Sequence, residues 1–204
     1  MSEKTNPGNY FEDFWIGQEL VHATPRTVTE GDVSLYTALY GSRFAVQSSD
    51  VFAGDLGLAG APVDDLLVFH LVFGKTVPEV SLNAVANLGY AGGVFGAPVY
   101  PGDTLSTTSK VIGLKENSDG KTGVVYVRSV GTNQSGEMVL DYVRWVMVRK
   151  GNADAPAPEP VVPELPGAVA AADLVVPAGL DLAVYDTAAA GSPYLWSDTM
   201  RRGN

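Results

Sequence analysis

The sequence predicts an α+β fold in which one central helix is wrapped by a curved antiparallel sheet. Three observations carry this. Residues 60–74 have helix punctuation around an apolar run broken only by His70. A shorter helical pattern precedes that run. Three long strand patterns come after it, separated by turn residues at 117–120 and 133–136.

Taken in order, residues 9–15 are aromatic-rich, with Tyr10, Phe11, Phe14 and Trp15, and Gly17 breaks them. Residues 19–28 predict a strand interrupted at Pro25, because proline cannot donate to a ladder. Thr29 and Asp32 have the spacing of a capping box and open a helix through Val33, Tyr36 and Tyr40, ended by Gly41. Residues 42–59 are irregular, with a short helix at 49–53 capped by Ser49 or Asp50. In the central helix, Pro62 suits the first turn, Asp64 and Asp65 suit the positive end of the helix dipole, and Gly74 suits the exit. Apolar on every side, this helix is expected to be buried all round, with His70 as a core histidine. It is too short to span a bilayer, which needs about 20 residues. Pro78 is expected to stop its continuation, and residues 82–95, with Gly89, Gly92 and Gly93, predict a bulged strand. The meander then runs over residues 104–115, 122–132 and 137–149, with Leu105, Thr107, Ser109 and Val111 on one face.

Composition excludes several classes. The chain has 204 residues and no cysteine, so neither a disulfide framework nor a thiolate nucleophile is possible. His22 and His70 are the two histidines, and no metal-ligand cluster is expected. A net charge of −10 argues against nucleic acid or an anionic membrane as partner. The start of the chain carries no apolar signal region, which points to a cytoplasmic protein. After Lys150 the sequence becomes rich in Pro and Ala. Residues 1–150 are assigned to one domain, 151–192 to an extended linker, with residues 174–185 docking on its surface, and 193–204 to the start of a second copy. The last assignment rests on an echo, Tyr194-Leu195-Trp196-Ser197-Asp198 against Tyr10-Phe11-Glu12-Asp13.

The order of short helix, irregular loop, long helix and antiparallel sheet is that of a hot-dog fold. Residues 22–32, 36–50, 64–70, 83–90 and 98–105 carry a family resemblance, above all Pro98-Val99-Tyr100-Pro101-Gly102-Asp103 and Asp64-Asp65-Leu66-Leu67-Val68-Phe69-His70. On these stretches the chain resembles the MaoC-like dehydratase family, and within it the mesaconyl-CoA hydratase group. The resemblance implies a hydro-lyase acting on an acyl-CoA thioester, interconverting mesaconyl-CoA and β-methylmalyl-CoA. No cofactor is implied, since coenzyme A is part of the substrate. It also implies that the chain is the N-terminal half of a fused pair of hot dogs, with a second hot-dog domain or another copy as partner.

The family's acid–base pair, an Asp and a His five residues apart, falls here on Ser42 and Gln47, neither of which exchanges a proton near neutral pH. Asp50 is the nearest acid and the fallback, with helix capping as its alternative role. The resemblance places enolate stabilisation at the start of the central helix, around Asp64, Asp65 and Leu66, where backbone N–H groups converge; the alternative is that the two acids only cap the helix. It also places Val85, Ala86, Asn87, Leu88, Gly96, Ala97 and Pro98 along the substrate channel. Arg26, Arg43, Lys75 and Lys110 are candidate partners for the coenzyme A phosphates. Two alternatives stay open: a non-catalytic acyl-CoA-binding or interaction module, and a generic enoyl-CoA hydratase. A lone hot-dog sheet leaves an edge strand, so self-association is expected.

Overall fold

A computed structural model describes residues 6–41 and 44–184. Ser42, Arg43 and the echo at Tyr194 lie outside the described residues.

The sheet is antiparallel, with strands β1 (Glu19–Val21), β4 (Thr104–Glu116), β5 (Thr122–Thr132), β6 (Met138–Arg149) and β3 (Ala84–Phe95) side by side in that order. The short strand β2 (Arg26–Thr27) also pairs with β4. The interruption at Pro25 thus yields two short strands on one long partner. The long strands fall within a residue or two of their expected ranges. Register shifts at three places along β3 supply the bulges that its glycines announced. The inward row of β4, Leu105, Thr107, Ser109 and Val111, is buried as expected.

Among the described residues, four α-helices lie between β2 and β3: α1 (Glu30–Tyr40), α2 (Ala45–Ser48), α3 (Asp50–Asp55) and α4 (Asp65–Thr76). Thr29 caps α1 with both bonds of its capping box made, and Gly41 ends it at φ 68°. The helix α4 packs on β4, β5 and β6 and buries Leu67, Val68, Leu71, Val72 and Thr76. Each large apolar side chain buried there contributes about 1.5–3 kcal/mol. Two expectations for α4 are corrected. It is covered on one side rather than all round: Leu66 is 58% exposed and His70 is exposed, so His70 is not a core histidine. An apolar run shows that a face can be buried, but not how many faces the sheet reaches. Nor do Gly74 and Pro78 end the helix. It runs to Thr76 and continues as one π turn, Val77–Ser81, in which Pro78 occupies the first turn, where no N–H is needed.

The core consists of two apolar clusters. One joins α4 to Val28, Val63, Val99, Leu105 and Leu140; the other joins Phe11, Phe14 and Val80 to Val111, Val125 and Val146. Phe11 lies flat on Gly123, where a Cβ would collide with the ring. Between the clusters runs a buried polar seam made by Thr107 and Ser109 on β4, Ser129 on β5, Arg144 on β6, Thr76 on α4 and His22. His22 Nδ1 donates to Glu79 at 2.9 Å, and its Nε2 accepts from Ser109 Oγ at 2.7 Å, a tautomer assigned from the network. Arg144 Nη2 donates to Thr76 Oγ1 at 2.7 Å, and its guanidinium carbon sits 4.5 Å from the centre of the Phe73 ring. The cation thus rests at the negative end of α4 and over an aromatic face.

After β6 the chain runs on largely without regular structure, broken by a short 3₁₀ turn at Ala171–Asp173. Val161 exchanges backbone hydrogen bonds with Leu114 of β4, at 2.8 and 2.9 Å. Further along, this segment docks beside α3, where Asp181 N donates to Leu56 O at 2.9 Å.

Candidate active site

The start of α4 is fixed by one backbone hydrogen bond and one side-chain cap. Val63 N donates to Val99 O at 2.7 Å, just before Asp64 caps the helix by accepting from Leu66 N at 2.9 Å. The turn containing Val99 is itself locked. Tyr100 N donates to Asp103 Oδ2 at 2.8 Å, Gly102 adopts φ 101°, and Val28 bonds to both Gly102 and Asp103. The Pro-Val-x-Pro-Gly-Asp motif is therefore a device that positions the helix N-terminus against the end of β3.

Beside this N-terminus lies a pocket of about 240 Å³. Val68 of α4, Val99 and Val139, all buried, line it. One wall is Phe95, Gly96, Ala97 and Pro98, held by Gly96 N to Val139 O at 3.0 Å and Ala97 N to Met138 O at 2.8 Å. Val46 and Gln47 of α2, with Leu56, Leu58 and Pro62, also line it. Asp65 is the one charged group among the lining residues. Its surroundings strip water from the carboxylate, and the neighbouring Asp64 repels it, so its pKa is raised above the ordinary carboxylate range. Solvent still reaches Asp65, which moderates the effect. The arrangement offers a mostly apolar chamber, one carboxyl with an enhanced hold on its proton, and an amide from Gln47.

The structure thus brings together Gln47, Asp65, Gly96, Ala97 and Pro98. Asp64 and Leu66 flank the pocket: the first caps the helix and the second exposes its side chain. Val85, Ala86, Asn87 and Leu88 lie at the far end of β3 from Phe95, on the strand that ends the sheet order. Asp50 neither lines this pocket nor caps a helix. The expected capping role is corrected: Ser49 caps α3 by accepting from Phe52 N at 3.2 Å, which leaves Asp50 to accept from Ala61 N at 2.9 Å and clamp the loop leading to α4. Of the cation candidates, Arg26 pairs with Asp32, Lys110 reaches Glu19 at 3.5 Å, and Lys75 lies in the last turn of α4, remote from its N-terminus. Sequence reasoning missed the contribution of Val175, Pro177, Leu180 and Leu182, which also line the pocket. Their apolar spacing in a proline-rich stretch was the one available signal. Among the described residues there is no cluster of three potential metal ligands, and no helix is long and apolar enough to cross a membrane.

A helix N-terminus facing a mostly apolar pocket, on a hot-dog sheet, defines the class. Residues 13–134 match the family described as MaoC like domain, and the chain belongs to that family. It is 71% identical over 198 residues to the beta-methylmalyl-CoA dehydratase of Chloroflexus aurantiacus, a match spanning 97% of this chain and 56% of that protein. It is 62% identical over 195 residues to the mesaconyl-CoA hydratase of Cereibacter sphaeroides, spanning 96% and 57%. A conserved Mycobacterium tuberculosis protein with a double hotdog fold superposes with a TM-score of 0.71 at 27% identity, covering 88% of this chain and 56% of that one. The chain thus spans about half the length of the curated relatives it matches.

Proposed function

We propose that this chain forms the N-terminal hot dog of a cytoplasmic hydro-lyase that adds water to mesaconyl-CoA to give β-methylmalyl-CoA, and removes it in reverse. The supporting observation is the 71% identity across 97% of the chain to a protein named for that dehydration. The pocket supports an acyl-shaping role: its lining is mostly apolar, and its Gly96–Ala97 side is fixed by backbone hydrogen bonds. The Asp64–Leu66 turn would orient the thioester, and the second hot dog would supply the acid–base pair. In that arrangement β3, last in the sheet order, meets the partner domain along its outer edge. The test is the loss of enoyl-thioester ultraviolet absorbance on mixing mesaconyl-CoA with this chain, alone and extended into a second hot dog. Turnover by the extended protein alone is expected. Absence of turnover by both removes the reading, and turnover of crotonyl-CoA in preference to mesaconyl-CoA moves it to a generic enoyl-CoA hydratase.

One observation favours a second reading. Gln47, which cannot act as acid or base, lines the pocket at a position where the family resemblance expects a titrating group. That suits a non-catalytic acyl-CoA-binding module. Tight binding of CoA esters without turnover by the extended protein would select it.

A further inference from the structure

The pocket is not completed by the hot-dog domain. Residues 161–182 run as a strap across the sheet. The strap starts at its paired contact with Leu114 and passes Pro163 beside Gly113, where a Cβ would stand 2.6 Å from the proline ring. It continues to Pro166 beside Gly92 on the edge strand. It then reaches the pocket, where Val175, Pro177, Leu180 and Leu182 join the lining. Two features hold it there. Asp181 N donates to Leu56 O at 2.9 Å, and Gly179 O lies 2.9 Å from where a Cβ on Gly57 would stand. Gly57 has φ 96°, so both its backbone and its close neighbour require glycine.

We infer that this strap sets the length of acyl chain that the pocket accepts, with Pro177 and Leu180 as the stop. The inference rests on the acyl-CoA reading above and deepens it. Pro177 and Leu180 are the half-buried members of the four; Val175 and Leu182 are exposed. The volume, about 240 Å³, lies below the roughly 300–1,000 Å³ of ordinary small-molecule sites. Without the strap the chamber would lack an apolar side and open to solvent. A leucine at such a stop discriminates by chain length, because each methylene beyond it has nowhere apolar to go. Pro177 and Leu180 lie outside the two buried apolar clusters and outside the strands, so they can change without disturbing the core. That is a direct route for related proteins to alter acyl preference.

The test is calorimetric binding of butyryl-CoA and octanoyl-CoA to the chain, to Leu180→Ala and to Leu180→Trp. The unaltered chain is expected to favour butyryl-CoA. Leu180→Ala should tighten octanoyl-CoA about tenfold and move butyryl-CoA by about twofold or less, while Leu180→Trp should weaken both. Leu180 is partly exposed, so neither change endangers the fold. If both esters bind all three proteins in one unchanged ratio, the strap inference is overturned and the acyl-CoA reading stands. If no ester binds any of them, the acyl-CoA role of this half falls, and the strap's role falls with it.

Discussion

His22 Nδ1 donates to Glu79 at 2.9 Å and so fastens the end of β1 to the π turn that closes α4. Burial is the largest influence on this imidazole and holds its pKa below the ordinary 6.5, against the opposing pull of Glu79. The unfolded chain therefore takes up a proton at a higher pH than the folded one. Stability from neutral His22 is complete above pH 6.5 and is lost as the pH falls from there through the lower folded value. His22→Gln should flatten that acid limb in urea unfolding series collected at several pH values. An unchanged limb would show that other groups cause it.

Arg144 is fully buried, with hydroxyls rather than a carboxylate as its partners. Thr76→Val keeps the shape of the site and removes the acceptor of its 2.7 Å bond. The expected cost is about 1–3 kcal/mol, the penalty for an unmet buried donor. Chemical denaturation of Thr76→Val beside Thr76→Ser measures it, and Ser should retain most of the stability.

Gly123 and Phe11 are matched by shape, since the ring occupies the space of a Cβ. Gly123→Ala should destabilise by about 1–3 kcal/mol through overpacking. Phe11→Leu in the same chain should recover part of that loss. A double-mutant cycle giving strictly additive costs would show that the two do not compete for the space.

On the outermost strand, Val85 and Leu88 are exposed at 48% and 43%. Lysine at both positions opposes edge pairing and should convert a self-associating species into a monomer by light scattering. Thermal stability measured on that monomer should move little, as for ordinary surface changes.

Much of this architecture was legible because local chemistry and tertiary packing agree. Thr29 and Asp32 cap α1, Pro98 to Asp103 form the turn, and the meander strands carry their own inward rows. The misreadings came where a local signal was overruled at longer range. Gly74 and Pro78 are good helix stops in isolation, yet packing of Val80 and the bond from Arg144 to Ser81 carry the coil past them. His70 sits in an apolar run, but its direction around the helix, invisible in a linear string, turns it outward. The helix start was evident from Pro62, Asp64 and Asp65, but only the family resemblance pointed from there to a site, and Asp65 does line the pocket. The strap residues could be placed on the domain surface but not at the pocket, since a stretch without helix or strand period does not say where on that surface it lands.

The polar seam gives the molecule two separately adjustable interiors. Thr107, Ser109, Ser129 and Arg144 separate the apolar body beneath the pocket from the body that grips Phe11 and Phe14. Side chains on opposite sides share few neighbours, so changes in one body should add to changes in the other rather than compound them. A lineage, or a designer, can therefore resize the chamber end of this domain while leaving untouched the anchorage of its N-terminal segment.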